Sequence, residues 1–386
     1  NTAVGSLALL SNTTGANNTA VGSDALRLNT TASNNTAVGF QAAFSNTTGA
    51  HNVVVGYQAL DANTTGLSNV AIGTEALGAN TTGNYNVAVG SRHSGSYGAP
   101  LGSNTTASFN TAVGLGALTT NTTGAYNVAL GARALENNST SSYNTAVGVQ
   151  ALPSNTTGDN YNTAVGYQAL YSNTTGVGNH GFGYATMGYL TTGIYNTAVG
   201  YNAGSGWGGT YLTTGSGNTY VGFGSSPSSS SVQSELMVSA SSTYALNGKG
   251  SNTGFIAVYN GSYGGIYQGN NSSSWSTTSD RRLKKNIVDN NEGLETIAAI
   301  RVRNFEYRLP EEVDPELSRK CAVDIKGVQL GVIAQELQQV CPDCVKEEST
   351  GVLSVDSDNV FWHMVNAIKQ LKAEVDSLKA QINQGA

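Results

Sequence analysis

Charge is almost missing before Ser279: positions 1–278 hold four basic side chains (Arg27, Arg92, Arg133, Lys249) and six acidic ones. Positions 279–386 hold fourteen basic and eighteen acidic side chains, so two kinds of structure are joined in one chain. The net charge of −6 divides as −2 and −4 between them. Neither part has the basic surface that a phosphate backbone demands, and nucleic acid is not an expected partner. Long apolar runs are also missing. The longest reach four or five residues, against about 20 for a membrane-spanning helix, so no membrane insertion is expected. Cysteine is absent before Cys321. The spacing Cys341-Pro-Asp-Cys344 is that of a redox pair or half a zinc site, but no second pair or nearby histidine in the sequence completes one. Buried or free thiols are therefore expected, with no metal and no other cofactor. The acidic residues of the first part (Asp24, Asp61, Glu75, Glu136, Asp159, Glu235) are spaced singly, which argues against a glycosidase carboxylate pair. The chain opens at Asn1 inside a repeat, so any targeting or anchoring segment upstream would lie outside it.

What fills the charge-poor part is a phrase, Asn-Thr-Ala-Val-Gly or a close variant. It begins at 1, 18, 35, 52, 69, 86, 110, 127, 144, 162, 179, 196 and 218, and nine of the twelve intervals equal 17. A full unit reads NTAVGxxALxxNTTGxx, and a fixed period of this length marks a solenoid. Such a unit suits one coil with two short strands and two tight turns, with Gly5 and Gly15 at the turning positions. Small Ala and Gly side chains let coils approach closely, and Asn and Thr in register make ladders along the stack. The core is expected to be thin, because each repeat offers one Val and one or two Leu against a backbone ordering cost of about 1–2 kcal/mol per residue. Three chains packing their Ala/Val/Leu stripes around one axis would relieve this, so a homotrimer is expected. The frequent Asn-x-Thr triplets arise from the repeat itself and are read as structural rather than as glycan acceptors.

The repeats over residues 1–224 resemble the head repeats of trimeric autotransporter adhesins, which form a parallel β-roll, although the period here is longer. Two interruptions leave the pattern: the lengthened interval from Asn86 to Asn110, and a Tyr- and Gly-rich stretch from Tyr184 to Tyr220. Arg92, His93, Tyr97 and Trp207 in these stretches are candidate contacts to a receptor on a host surface, with a glycan as one candidate ligand.

Residues 225–278 are rich in Ser and Gly and read as a β stalk or transition. Beyond them an α+β domain is predicted at 279–386. A helix is expected over Leu294–Ile300, strands over Val302–Tyr307 and Val328–Ile333, and a short helix from Ala334 that Pro342 ends. A coiled coil is expected over 359–383, because Phe361, Met364, Ile368, Leu371, Val375, Leu378 and Ile382 alternate spacings of three and four. The expected fold class is mainly β, a repetitive and trimeric parallel β-roll or solenoid, followed by this α+β domain.

At the seam the chain reads WSTTSDRRLKKN. A Ser–Lys pair such as Ser279 and Lys284 can support nucleophilic catalysis if nearby cations or burial let the lysine lose its proton. The segments Ser279–Ile287, Gly331–Leu337 with Pro342, and Ala367–Leu371 before a coiled coil resemble the endosialidase-type intramolecular chaperone domain. That family caps phage tail spikes and fibres, promotes their trimerisation and then removes itself by autoproteolysis. One departure is Ser357, where the family often has Tyr. The resemblance implies Ser279 as nucleophile, Lys284 as general base, and a scissile bond beside Ser279, among Thr278, Ser279 and Asp280. Attack by Ser279 Oγ on the Thr278 carbonyl closes a five-membered ring, whereas the resemblance places the cut after Ser279, so both bonds stay open. Only self-cleavage is expected, without turnover of a separate substrate. The resemblance thus implies a virion tail fibre or spike that attaches to a host. A bacterial cell-surface adhesin and an ice- or surface-binding solenoid are the alternatives.

Overall fold

Thr-Ala-Val alternates a small inward side chain with two outward ones, and each copy forms a three-residue strand, from β1 (Thr2–Val4) to β13 (Thr219–Val221). Neighbouring copies pair in parallel and in register, with Ala3 beside Ala20 and Ala20 beside Ala37. The computed structural model describes all residues except 94–97, 158–159, 207–209, 242–244, 260–262, 269–274, 277–280, 310, 314–326, 348–351 and 385–386. The parallel stack continues past the last repeat through β15 (Leu236–Ala240) and β17 (Gly254–Tyr259), and β14 (Ser225–Ser226) pairs with β16 (Leu246–Asn247). It ends in antiparallel β18 (Tyr263–Gln268) and β19 (Trp275–Ser276). The expected parallel β-solenoid is therefore observed, but with one strand per coil where two were expected. The remainder of each coil is a series of turns bonded to the next coil, for example Leu26 N–H to Ala42 O at 3.0 Å and Thr30 N–H to Thr47 O at 3.1 Å.

These turns are not made where the glycines alone would put them. In the third coil Gln41, Ala43 and His51 take the left-handed conformation, at φ 52°, 51° and 62°. Leu60 and Leu118 do the same at φ 50° and 49° while fully buried. A left-handed leucine costs about 1–2 kcal/mol. Burying its side chain returns about 1.5–3 kcal/mol, so burial wins. Gly5 does turn the chain, at φ 133°. Gly15 is needed for another reason, since a Cβ there would stand 2.2 Å from the Ala32 carbonyl oxygen, so its place is dictated by coil-to-coil approach.

The inward stripe consists of Ala, Ala and Leu, as in Ala37, Ala42 and Leu60, while Val38 and Val55 are over a third exposed. The expected Ala/Val/Leu stripe is thus split, because a strand's period of two sends Thr36 and Val38 to the face opposite Ala37. Two buried asparagine ladders complete the interior. Asn35 Nδ2 donates to Gly49 O at 3.0 Å while its Oδ1 accepts the Asn52 N–H at 2.9 Å. Asn46 Nδ2 donates both to Asn29 Oδ1 and to Gly49 O, each at 2.9 Å. These bonds satisfy amides that would otherwise be costly to bury. They also commit the side chains of the Asn-Thr-Thr triplets, such as Asn46 and Asn63, to the interior.

Two compact units divide the chain, Asn1–Ser279 and Asp280–Ala386. The second contains α1 (Leu294–Ala299), then β20 (Arg303–Phe305) antiparallel to β21 (Gln329–Gly331). There follow α2 (Ala334–Val340), the antiparallel pair β22 (Val345–Glu347) and β23 (Leu353–Val355), and the long α3 (Ser357–Gln384). Its small core is Leu337, Cys341, Cys344 and Val345. Among the described residues no helix is long and apolar enough to cross a membrane.

Asp356, directly before α3, accepts the N–H groups of Asp358 at 3.2 Å and Asn359 at 3.4 Å and pairs with Lys346. The Lys346 hydrogen bond, helped by these amides, holds its carboxyl below the usual carboxylate range. A depressed folded-state pKa contributes stability above the unfolded value of about 3.9, and this is lost as pH falls through the folded value. Asp356→Ala is therefore expected to cost about 1 kcal/mol at pH 7. The gap to the parent should close below about pH 4, as followed by helical circular dichroism, since the helices belong to this unit.

Candidate functional site

The junction is built from a short 3₁₀ turn, Arg281–Leu283, after which Lys284 N–H donates to Arg281 O at 3.1 Å. Arg281 and Lys284 are exposed at its rim. Thr278, Ser279 and Asp280 lie outside the described residues. The chain leaving this turn is gripped by α3. Asn366 Nδ2 donates to Asn290 O at 2.9 Å, and Gln370 Nε2 donates to Asn291 O at 2.7 Å while its Oε1 accepts the Leu294 N–H at 2.6 Å. Gly293 permits this approach, because a Cβ there would stand 2.5 Å from Ala367 N. The segment after the basic stretch is thereby tied to the helix expected to form the coiled coil.

That helix has two faces. His363 and Ala367 are buried against the unit. Phe361, Met364, Ile368, Leu371, Val375, Leu378 and Ile382, the seven positions of the predicted seam, are between 39% and 70% exposed in the single chain. Together they form a continuous apolar stripe along the exposed side of α3, at the spacing of a coiled-coil seam.

On the solenoid, the long interval creates a cleft of about 800 Å³ beside Arg92 and His93. Arg92 Nη1 donates to Glu75 Oε2 at 2.6 Å across adjacent coils. Asp61 lines the same cleft, and burial pushes its carboxyl above the usual range, with the Glu75 charge adding to the effect. The acidic residues are therefore not all isolated in space as their sequence spacing implied, because coiling brings Asp61 and Glu75 together. Tyr97 and Trp207 lie outside the described residues. A second cleft of about 540 Å³ is lined by Tyr171, Tyr184, Tyr189, Tyr201 and Tyr211. Along another edge five rings, Tyr85, Phe109, Tyr126, Tyr143 and Tyr161, stack at 4.9–5.2 Å with interplanar angles of 4–10°. Sequence reasoning missed this ladder, although Phe109, Tyr126 and Tyr143 follow one another at the period of the repeat.

Cys341 and Cys344 form a disulfide, which corrects the expectation of buried or free thiols; Cys321 lies outside the described residues. The spacing of three positions allows the bond because Pro342–Cys344 closes a 3₁₀ turn that brings the two side chains together.

Comparison with known proteins bears on the second unit. Residues 279–346 match the family model described as chaperone of endosialidase. Among curated proteins the chain is similar to Myelin regulatory factor homolog 1 of Caenorhabditis elegans, with 32% identity over 109 residues. That stretch is 28% of this chain and 11% of the relative, so the chain spans about a tenth of that protein's length.

Proposed function

We propose that the protein is a trimeric fibre or spike that attaches to a host surface, whose C-terminal unit drives trimer folding and then cuts itself off beside Ser279. The observation that carries this reading is where the chaperone match begins. It starts at Ser279, where a solenoid with almost no charge gives way to a unit ending in an uncovered apolar helix face. A solenoid with an Ala/Ala/Leu interior gains little from its own core, and outward Val rows such as Val38 and Val55 gain from neighbouring chains. The α3 seam would gather three chains before the coils zip, which removes the entropic cost of finding partners during folding. A relative named as a regulatory factor carries a similar stretch, so the attachment role rests on the solenoid. There the tyrosine-lined cleft sets aromatic rings beside polar groups such as Gln168 and Asn202, a surface suited to sugars. The place of such a protein would be the virion.

The test is trimer formation. Chains lacking 279–386, and full-length Ile368→Asp/Leu371→Asp chains, are expected to give monomeric or insoluble solenoid where the parent gives soluble trimers by light scattering. Soluble trimers from both variants would remove the chaperone role.

A further inference from the structure

The sequence leaves Cys341 and Cys344 without a histidine, and the fold supplies one. Cys341, Asp343, Cys344 and His363 each present a ligand atom, and these atoms lie within 4.8 Å of one another. Cys341, Cys344 and His363 are buried, while Asp343 stands on the solvent side. Asp343 joins the groups: its Oδ1 is 3.2 Å from Cys341 Sγ, and its Oδ2 is 3.2 Å from His363 Nε2.

Bonds other than the disulfide build this knuckle. Cys341 N–H donates to Leu337 O at 2.8 Å, Cys344 N–H to Cys341 O at 3.0 Å, and Asp356 N–H to Cys344 O at 2.8 Å. Asn359 Nδ2 donates to Asp343 O at 2.6 Å. These bonds anchor the backbone of both cysteines without drawing on their sulfurs. On the other side His363 Nδ1 lies 3.1 Å from Glu292 O. A carbonyl oxygen only accepts, so Nδ1 carries the hydrogen and Nε2 faces the cysteines and Asp343. An imidazole held from behind by a carbonyl is how metal-ligating histidines are oriented. Two thiolates, an imidazole and a carboxylate make a donor set suited to tetrahedral zinc.

We propose that reduction of the Cys341–Cys344 disulfide opens a zinc site whose ligands are Cys341, Cys344, His363 and Asp343. The steps balance. A thiol reductant gives two electrons and two protons to the S–S bond and becomes a disulfide itself; the two new thiols release their protons to solvent as Zn²⁺ takes the thiolates. The two fasteners differ in what they join. The disulfide closes only the turn after α2, whereas the metal ties that turn to His363 on α3, the helix that carries the apolar seam.

Cobalt reports such a site directly. Full-length Cys321→Ser protein, in which only the pair can supply thiolate, is reduced with a phosphine, desalted without oxygen, titrated with Co²⁺ and then challenged with Zn²⁺. The expected result is a thiolate-to-cobalt charge-transfer band with tetrahedral d–d absorption, saturating at one Co²⁺ per chain, erased by Zn²⁺ and missing from the oxidised protein. His363→Gln should weaken Co²⁺ binding by about tenfold or more, and Cys344→Ser should remove the band. The oxidised sample has the same sequence as the reduced one, so the comparison stands even where a variant fails to fold. No charge-transfer band after reduction, or an equal band in the oxidised protein, overturns the proposal; unchanged affinity in His363→Gln removes the histidine from the site.

Discussion

Replacing Ser279 by alanine is expected to leave a single full-length chain, whereas the proposed self-cleavage should give the parent protein two fragments that meet beside Ser279, a long one carrying the solenoid and a short one carrying α3. The same outcome is expected for Lys284→Ala and also for Lys284→Arg. Arginine keeps the positive charge but cannot give up its proton at accessible pH, so it cannot act as the base that activates the serine. A general base contributes about 10²–10⁴-fold, enough to separate complete processing from none over the hours of an expression culture. Lys285→Ala serves as the control, since it removes one charge from the same basic stretch and leaves Ser279 and Lys284 in place; it should process normally. The mass of each fragment decides between the two bonds, because Ser279 travels with the C-terminal piece after attack on the Thr278 carbonyl and with the N-terminal piece otherwise. Processing of the Ser279→Ala and Lys284→Ala chains to the same extent as the parent on a denaturing gel would sink the dyad.

The second large effect is expected in the solenoid. Gly56 has φ 142°, and a Cβ there would stand 2.4 Å from the carbonyl oxygen of Gly73 in the next coil. Gly56→Ala therefore forces a backbone-to-backbone separation as well as a strained φ, and should cost about 3 kcal/mol or more. Gly250→Ala isolates the smaller part, since Gly250 also has a positive φ, 122°, but nothing within 4 Å of the added Cβ. Its expected cost is about 1 kcal/mol. In a stack whose units touch only their neighbours, the Gly56 change acts on one interface, so limited proteolysis should cut between the coils of Gly56 and Gly73 while the distant coils stay intact. Unaltered protease resistance and melting of Gly56→Ala would show that the coils have more slack than the 2.4 Å approach implies.

The repeat made the solenoid legible because stacking is a translation along the sequence: a period of 17 places Glu75 beside Arg92, 17 positions on. The α3 seam was legible for a related reason, since a helix converts spacings of three and four into one face. Other features were harder to read. Nothing in a local pattern says that leucines at positions such as Leu60 and Leu118 adopt left-handed φ, because that choice is made by the burial it permits. Gly15 looked like a turn residue for want of its neighbour, the Ala32 carbonyl, which exists only once two coils are stacked.

By itself, then, the sequence determined the period, the parallel stacking, the change of composition beside Ser279, and the apolar stripe from Phe361 to Ile382, since each depends on regular spacing along one stretch of chain. Tertiary structure alone decided that Ala rather than Val faces inward, that Asp61 and Glu75 share a cleft, and that His363 meets a cysteine pair some twenty positions earlier. The reason is physical. Which face a strand buries and which distant side chain fills a gap follow from packing between segments, and those contacts come into being only when the chain has closed on itself.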